Sequence, residues 1–468
     1  MGYLIVILCY LGGLIAYGVY KGKKEVKNAE DFTVAGRRLP FIVLVGTLLA
    51  TWCGGGGITG SANFVYTYGP YAGVLHFISA PIGILLLYFI AGRVRKSAKV
   101  TIPEIFEVRY GSAARILSAV CIILAYVGIV SAQFKAVGFI ISMTTGLDVN
   151  IATIIAAAAI VALTVSGGMV AVAYSDAYSA LLMVGGFFFA SILLFGKLGG
   201  LGAAFSSLPE GKNTLTGGLS FIKLLGYMLP TMFLILGDQN MMQRFSAAKD
   251  SATAKKSNIG MFVGEIVVIV LTILIVVAGI LLIPGAKRPD TIIFQVALQK
   301  LPFFMGAIVL SACVAFIVTT GDSFLLSAAT NFTYDIWGKY LKKDATDKQT
   351  LTYLRGTVVV FAVIAYFLCM YFPTILSVQL YSYTMYGAAI TPALMCALFS
   401  KKVTKAGGIS GILTGAVLTI LWDAILKSPF GLKSAIISVP AAFLVILLVS
   451  SFTQTADSQS YNALYKEN

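Results

Sequence analysis

The sequence predicts an all-α, polytopic membrane protein with about 13 transmembrane helices. Hydrophobic residues make up 58% of its 468 residues and charged residues only 11%, and the mean hydropathy is +0.91. Soluble domains need a polar surface and do not have this balance. The apolar residues form long runs that can each cross a bilayer: 2–20, 40–65, 69–92, 116–145, 150–168, 174–196, 219–243, 258–284, 303–330, 356–372, 375–399, 408–426 and 433–452.

The distribution of basic residues predicts the orientation of these spans. Of the 34 Lys and Arg residues, 25 lie in the odd-numbered connections and the C-terminal tail, and 8 lie in the even-numbered connections. The positive-inside rule then places the N-terminus outside and the C-terminus in the cytoplasm, in a plasma or inner membrane. The net charge of +15 therefore follows the topology and does not indicate a nucleic-acid partner. The six cysteines, mostly within apolar spans, resemble buried hydrophobic residues rather than a disulfide or metal set.

The second span contains four consecutive glycines, Gly54 to Gly57, in the middle of an apolar run. Each glycine costs about 1 kcal/mol of helix stability relative to alanine. An interrupted backbone is tolerated in a membrane only where its polar groups face protein or a watery cavity. Secondary transporters bind ions and solutes at such breaks. Close helix packing by small residues is the alternative, but it needs glycine at every fourth position. We therefore predict a broken helix near mid-membrane.

The seventh span is also predicted to be interrupted, because it carries Pro230, Gly237 and the polar run Asp238-Gln239-Asn240. Arg244 follows and is expected to mark the cytoplasmic surface. The second and seventh spans lie five apart, which indicates two inverted five-helix units that each begin with a broken helix. The predicted organisation is one transmembrane domain, 1–468. It consists of a peripheral first helix with its loop, a ten-helix core, and two peripheral helices with a cytoplasmic tail: 1–39, 40–400 and 401–468.

Ionisable residues inside spans are costly and usually face a cavity or a partner. The candidates are Lys135, Asp176, Asp238, Glu265 and Asp322. The ninth span also places Thr319, Thr320 and Ser323 beside Asp322. Alkali cations prefer several oxygen ligands, which hydroxyls and the carbonyls of a broken helix supply. A single hydroxyl more often bonds to a carbonyl of its own helix, but a cluster of this kind favours an ion site. His76, the only histidine, is expected to be a satisfied interior residue.

A set of short motifs, in order and spacing, resembles the sodium/solute symporter family, whose members carry proline, glucose, iodide, monocarboxylates, sialic acid and choline. The motifs are Asp31-Phe32-Thr33-Val34-Ala35-Gly36-Arg37-Arg38, Ala50 to Gly60, Thr101-Ile102-Pro103-Glu104, Arg109-Tyr110-Gly111, Gly167 to Val172 leading to Asp176, Gln243-Arg244-Phe245-Ser246-Ala247, and Asp322-Ser323 through Asp335-Ile336. The resemblance implies a leucine-transporter-like fold, with spans two to eleven as its ten-helix core, and sodium as the coupling ion.

The resemblance also implies a sodium site between the first and eighth core helices. Its ligands would be the backbone carbonyls of Ala50, Cys53 and Phe316 and the hydroxyls of Thr319 and Thr320. Some members bind a second sodium ion through an aspartate of the fifth core helix. The residues that match this second site are Asp176, Asp322 and Ser323, together with Thr319. Asp322 stands where some members have a serine.

For the solute, Ala50-Thr51-Trp52 followed by glycines is most similar to the choline carriers. In those carriers this tryptophan forms one wall of an aromatic cage for quaternary ammonium. The other cage positions are Ile84, Ser131 and Asp238 in this chain, so three of the four aromatic residues are absent. The substrate-binding candidates are Trp52, Gly56, Gly57, Ile84, Ser131, Lys135 and Asp238.

Lys135 lies one helical turn beyond Ser131 and is expected to face the same cavity. There it would bind a solute carboxylate, pair with Asp238 when the site is empty, or act as a fixed cation that lessens dependence on sodium. The alternative is that its ammonium group extends to the outer membrane surface.

The sequence therefore predicts a symporter, not an enzyme, that uses sodium to import a small polar organic solute by alternating access. The solute is expected to be a zwitterion such as an amino acid, or a monocarboxylate. A choline-like or other amine carrier, and a sodium-independent or proton-coupled carrier, are the alternatives within transport. A channel would need pore loops or rings of charge, a sensor a signalling domain, and an enzyme a catalytic constellation. We expect no cofactor and no obligate protein partner, only sodium, the solute and the lipid bilayer.

Overall fold

The computed structural model describes residues 2–25, 29–97, 101–372, 374–453 and 458–464. Within these residues the secondary structure is helical, apart from one isolated β-bridge between Leu39 and Ala248. The helices are α1 (Gly2–Glu25), α2 (Ala29–Val34), α3 (Phe41–Trp52), α4 (Gly56–Tyr68), α5 (Pro70–Val94), α6 (Ile102–Tyr110), α7 (Ser112–Thr145), α8 (Val149–Val165), α9 (Gly168–Lys197), α10 (Leu201–Ser206), α11 (Phe221–Gly237), α12 (Gln239–Ala247), α13 (Ser251–Leu282), α14 (Ile292–Gln299), α15 (Phe303–Leu341), α16 (Asp347–Tyr371), α17 (Ile375–Phe399), α18 (Lys405–Ile425), α19 (Ala435–Thr453) and α20 (Ser458–Ala463).

The described helices confirm an all-α, multi-pass membrane protein. Eleven of them, with α11 and α12 taken together, are long and apolar enough to cross a membrane, and the bent pair α3–α4 makes a twelfth. The fifth predicted span corresponds to α8, which is shorter than the others and falls below the usual length of a spanning helix. The total of thirteen spans therefore stays a prediction.

Three breaks interrupt the long apolar segments. The axes of α3 and α4 meet at 56°. α8 and α9 are separated at Gly168, whose φ of 57° and ψ of −172° require a glycine. α11 and α12 are separated at Asp238, whose backbone is extended and whose side chain accepts a hydrogen bond from the Asn240 amide at 3.2 Å. This contact caps the start of α12. The breaks predicted in the second and seventh spans are therefore present.

The broken helices lie inside the bundle. α15 packs against α3, α7 and α9, and α17 packs against α7 and α11. α1 packs on α9 and α15, while α18 and α19 pack chiefly against each other. Small residues allow neighbouring helices to approach each other closely. For example, a Cβ added to Gly46 of α3 would lie only 2.7 Å from the Cβ of Ala177 of α9. Backbone groups freed at the breaks are thus surrounded by protein, as a bilayer requires.

Candidate functional site

The break between α3 and α4 places the four glycines against neighbouring helices. None of them has a positive φ, so an unusual backbone conformation does not explain them. A Cβ on Gly54 would instead overlap the side chain of Thr320 on α15. The amide of Gly55 donates to Oε1 of Gln133 on α7 at 2.7 Å. Gly54, Gly55 and Gly56 need glycine because other helices approach the backbone closely, whereas the nearest atom to a Cβ on Gly57 would be 3.9 Å away.

The same break brings together oxygen atoms from α3 and α15. The Thr320 hydroxyl donates to the carbonyl of Ala50 at 2.9 Å, close to the end of α3. On α15, Oγ1 of Thr319 lies 3.4 Å from the Phe316 carbonyl, and both threonines are buried. Cys53 follows at the C-terminal cap of α3. The structure thus brings together the Thr320 hydroxyl and the Ala50 carbonyl, which are two of the oxygens predicted as sodium ligands.

Asp176 of α9 lies next to this set and has a cationic partner of its own. Its Oδ2 accepts a hydrogen bond from Thr47 at 2.6 Å and lies 3.4 Å from Nη2 of Arg244. Arg244 also donates to Oγ of Ser323 at 2.8 Å, and its side chain is only 1% exposed. The side chain of Arg244 therefore points into the bundle and not into solvent. The guanidinium can be buried because Asp176 supplies the opposite charge.

A small cavity lies beside the break, enclosed by α3, α4, α5, α11, α13 and α17. Its volume is about 20 Å³, which is room for roughly one water molecule. The rings of Trp52 and Tyr383 face each other across it, with centroids 6.2 Å apart and planes inclined by 25°. The lining residues are Trp52, Gly57, Ser61, His76, Phe77, Ala80, Thr231, Glu265, Gln379 and Tyr383.

Glu265 of α13 is the only one of these lining residues with a carboxylate. Its Oε2 accepts a hydrogen bond from the Cys53 thiol at 2.8 Å, and Trp52 lines the cavity beside it. Cys53 caps the end of α3, so the break itself orients the carboxylate. A buried carboxylate beside aromatic ring faces attracts a cationic group.

Comparison with known proteins identifies the family to which this arrangement belongs. The profile of the Sodium:solute symporter family matches residues 32–415, which is most of the chain. The chain belongs to the sodium:solute symporter family. A solved structure of a Na⁺-coupled sialic acid symporter, in a substrate-bound outward-open state, has a TM-score of 0.82 at 17% identity and covers 97% of this chain and 98% of that one. The two proteins therefore share a fold.

Curated relatives of this symporter include carriers of different solutes. The human high-affinity choline transporter 1 is 26% identical over 438 residues, which cover 89% of this chain and 75% of that protein. The high-affinity proline transporter of Bacillus subtilis (strain 168) is 26% identical over 471 residues, which cover 96% and 97%. The comparisons thus support a carrier and leave its solute open.

The structure places only part of the predicted solute set of this symporter at the cavity. Trp52 and Gly57 line it, and Gly56 lies next to it, since a Cβ there would come within 2.8 Å of the Tyr383 hydroxyl. Ser131 donates to a carbonyl of its own helix and lies outside the lining set.

Two further candidates of the symporter have structural contacts elsewhere. The carbonyl of Ile84 accepts a hydrogen bond from the Asn258 side chain at 2.7 Å. Asp238 caps α12 and accepts a hydrogen bond from the Tyr126 hydroxyl. Neither residue lines the cavity. Asp238 therefore caps α12 at the break and does not contact the cavity.

The structure also corrects the expectation that Lys135 faces the cavity with Ser131. Its ammonium group donates to the carbonyls of Phe372 at 2.5 Å and Cys369 at 3.4 Å, at the C-terminal end of α16. Carbonyls at a helix C-terminus lack partners within the helix and carry partial negative charge, so they attract an ammonium group. Lys135 therefore stabilises a helix end.

Sequence reasoning did not connect Thr231 of α11, Glu265 of α13 and Gln379 of α17 with the cavity. Glu265 was recognised as an ionisable residue in a span, but nothing connected it with Trp52. Thr231 and Gln379 gave no distinguishing signal, because polar residues of these types are common in helices. The position of Glu265 in the middle of an otherwise apolar span was the one feature that could have indicated its place.

Polar contacts close the bundle of this symporter at opposite ends of α15. Near the C-terminal end of α15, Arg115 of α7 bonds to Asp335 at 2.7 Å. Near its N-terminal end, Asn63 of α4 donates to Asp290 at 2.9 Å, in the connection after α13. Burial raises the pKa of the Asp290 carboxyl above its ordinary value, and the hydrogen bond from Asn63 opposes that shift.

Proposed function

We propose that this protein is a sodium-coupled symporter that imports a small organic solute carrying an amine group. The observation that carries the proposal is Glu265, a single carboxylate in a cavity walled by Trp52 and Tyr383. A protonated amine would form a charge-assisted hydrogen bond with the carboxylate and a cation–π contact with the rings. An amino acid or another protonated amine meets both requirements, whereas a quaternary ammonium compound has no N–H to donate and would be held only by the charge of Glu265 and the cation–π contact. A monocarboxylate without an amine would be repelled by Glu265.

Sodium is the second substrate in this proposal. We assign it to the carbonyls of Ala50, Cys53 and Phe316 and the hydroxyls of Thr319 and Thr320, which join α3 to α15. The end of α3 also supplies Cys53, whose thiol donates to Glu265, so the ion and the solute act on one short segment. An ion that favours one arrangement of this segment shifts the affinity for the solute, which is what coupling requires.

Alternating access would follow from opening the two polar contacts in turn. Breaking the Asn63–Asp290 contact would expose the cavity at one end, and breaking the Arg115–Asp335 contact would expose it at the other. We place the Arg115 end in the cytoplasm and the N-terminus outside, in the plasma or inner membrane. The support for this orientation is the excess of basic residues in the connections at the Arg115 end.

Transport by purified protein in liposomes tests the proposal. The solutes to be compared are amines, amino acids, quaternary ammonium compounds and monocarboxylates. With an inward sodium gradient, we expect the liposomes to accumulate solutes of one of these classes, and the members of that class should carry an amine group. Replacing external NaCl with KCl should abolish accumulation, whereas a channel would only equilibrate the solute. Uptake restricted to amine-free monocarboxylates, or equal accumulation without sodium, would contradict the proposal.

The Glu265→Gln variant tests the assignment of the amine partner. We expect it to weaken solute affinity about tenfold or more, because a hydrogen bond to a charged group contributes roughly 1.5–3 kcal/mol. Lys135→Ala is the matched control, since Lys135 is also a charged residue in a span but lies outside the cavity. Its solute affinity and sodium dependence should be unchanged. The reverse pattern, with Lys135→Ala impaired and Glu265→Gln normal, would exclude the assignment.

A further inference from the structure

A second cavity, of about 630 Å³, lies between α16, α17, α18 and α19, and we call it the α18 cavity. It borders the C-terminal end of α16. Because α16 starts soon after the Asp335 end of α15, this cavity lies at the end of the bundle opposite the Arg115–Asp335 contact. Among the described residues, none lines both this cavity and the one beside Trp52. Its volume is typical of a site that holds an organic molecule.

One wall of the α18 cavity is apolar and continues onto the outer surface of the bundle. Leu368 and Leu380 line this wall, and Tyr371 at its edge is 79% exposed. Phe430, in the connection between α18 and α19, is 87% exposed. An exposed tyrosine at the end of a spanning helix is typical of the membrane interface. The cavity therefore opens where lipid headgroups and acyl chains meet.

Two lysines line the α18 cavity, Lys427 after α18 and Lys433 before α19. Among the described residues, neither ammonium group is ion-paired with a carboxylate. The Nζ of Lys433 lies 5.7 Å from the centroid of the Tyr227 ring on α11, a cation–π contact that leaves its N–H groups available to an anion. Like charges that share one cavity favour an anionic ligand.

The connection that carries these lysines is held in place by Asp423, the one carboxylate in the lining of the α18 cavity. Its Oδ1 accepts a hydrogen bond from Ser428 at 2.9 Å, and its Oδ2 accepts one from Ser434. Lys427 and Ser428 have φ values of 55° and 54°, which residues other than glycine rarely adopt. Strained backbone that is fixed by its surroundings is common at binding sites. The fold thus positions Lys427 at the cavity.

We propose that the α18 cavity binds an anionic phospholipid, with its phosphodiester at Lys427 and Lys433 and an acyl chain along Leu368 and Tyr371. Two lysines and one aspartate give the lining a net charge of +1, which matches the single negative charge of phosphatidylglycerol. A zwitterionic lipid has no net charge to match it, and a free anion would leave the apolar wall uncovered. Basic pockets between spanning helices bind anionic headgroups in other membrane proteins.

The helix α17 separates this lipid site from the cavity beside Trp52. Leu380 and Thr384 line the α18 cavity, whereas Gln379 and Tyr383 line the other one. Each pair is spaced by four residues, so the pairs form two neighbouring faces of one helix. A bound lipid therefore contacts the helix that forms one wall of the proposed solute site.

Native mass spectrometry of the purified full-length protein tests the proposal, because it counts bound lipids without a known solute. In titrations, wild type should retain one phosphatidylglycerol per chain and bind it more tightly than phosphatidylcholine with the same acyl chains. Lys427→Gln/Lys433→Gln should bind it roughly 25-fold more weakly, since each basic residue near an anionic lipid contributes about fivefold. Lys342→Gln/Lys343→Gln, in the exposed connection after α15, is the matched control and should bind it as wild type does.

Ala424→Trp places a large ring at the α18 cavity without changing its charge, and it should also release the lipid. Lipid retained in Ala424→Trp, or equal weakening in both double variants, would overturn the proposal, because lysines anywhere on the surface would then suffice. Equal binding of phosphatidylcholine, or displacement of phosphatidylglycerol by inorganic phosphate, would overturn it as well. If Lys427→Gln/Lys433→Gln does not fold, Ala424→Trp decides the question. These counts need neither sodium nor transport, so they stand apart from the proposed function.

Discussion

Thr320 is the proposed sodium ligand that contacts the helix break directly. Its hydroxyl reaches the Ala50 carbonyl at 2.9 Å. We expect NaCl, relative to KCl, to raise the melting temperature of wild type, because a ligand that binds only the native state stabilises it by mass action. Thr320→Ala should lose most of this increase, and Thr320→Ser should keep it. An alanine variant that sodium stabilises as fully as wild type would exclude Thr320 as a ligand.

The sequence showed which side chains in the spans are polar but not which partners they reach. The threonine pair was predicted because two hydroxyls cluster in a span and face a glycine-rich break, and Thr320 does lie buried against that break. Lys135 was assigned to the wrong neighbours and Glu265 was assigned to none, because helical spacing defines a face and not the neighbour across it. Glu265 and its partner Cys53 are 212 positions apart. Only tertiary packing brings such residues together.

At the scale of elements, the glycine run allows a test of why the helix is interrupted. Gly54→Ala should abolish stabilisation by sodium, because the new Cβ would displace Thr320 from the end of α3. Gly57→Ala is the matched control within the same run, since the nearest atom to its Cβ would be the Trp52 carbonyl oxygen, at 3.9 Å. The control should keep stabilisation by sodium in the same melting assay. Equal behaviour of the two variants would show that close approach at Gly54 is unimportant.

The breaks could be predicted from the sequence, but their physical cause only in part. Glycine weakens a helix, and this was sufficient to locate the interruption in the second span. Close packing by small residues was treated as the alternative to a broken helix, yet both occur at Gly54. The break at Gly168 was predicted only as a connection between two spans, because the sequence does not show that two helices meet there at one residue.

At the scale of the whole molecule, the contacts around Arg115 give an expected pH dependence. Glu107 of α6 pairs with Arg115 and, at 3.3 Å, with Lys339. Burial acts to raise the pKa of Glu107, but its hydrogen bonds and charge pairing with these two residues lower it below the ordinary value of 4.5. A carboxyl with a lowered pKa stabilises the native state above its unfolded pKa, and this contribution is lost as the pH falls through the lowered value.

Wild type should therefore melt at a higher temperature than Glu107→Gln at neutral pH. The difference should be constant down to about pH 5 and shrink at lower pH, where both states bind the proton. Glu210→Gln, in the exposed connection after α10, is the control and should melt like wild type across the range. A difference that grows as the pH falls would show that Glu107 does not act through its charge.

The fold of the whole molecule was predictable because composition and the order of many short motifs combine over most of the chain. The number of spans was less so, since α8 is too short to be counted by length and hydropathy alone. The orientation in the membrane and the domain boundaries remain predictions. The orientation depends on the lipid environment. The domain boundaries depend on the relation between two repeats that have no obvious sequence similarity.

The small size of the cavity has a kinetic consequence. A void of about 20 Å³ is far below the volume of any amine-bearing organic molecule, so the solute cannot enter this conformation by diffusion alone. The helices around Trp52 and Tyr383 must separate before an encounter becomes productive. Rapid-mixing measurements should therefore show an observed association rate that levels off at high solute concentration, at the speed of that separation.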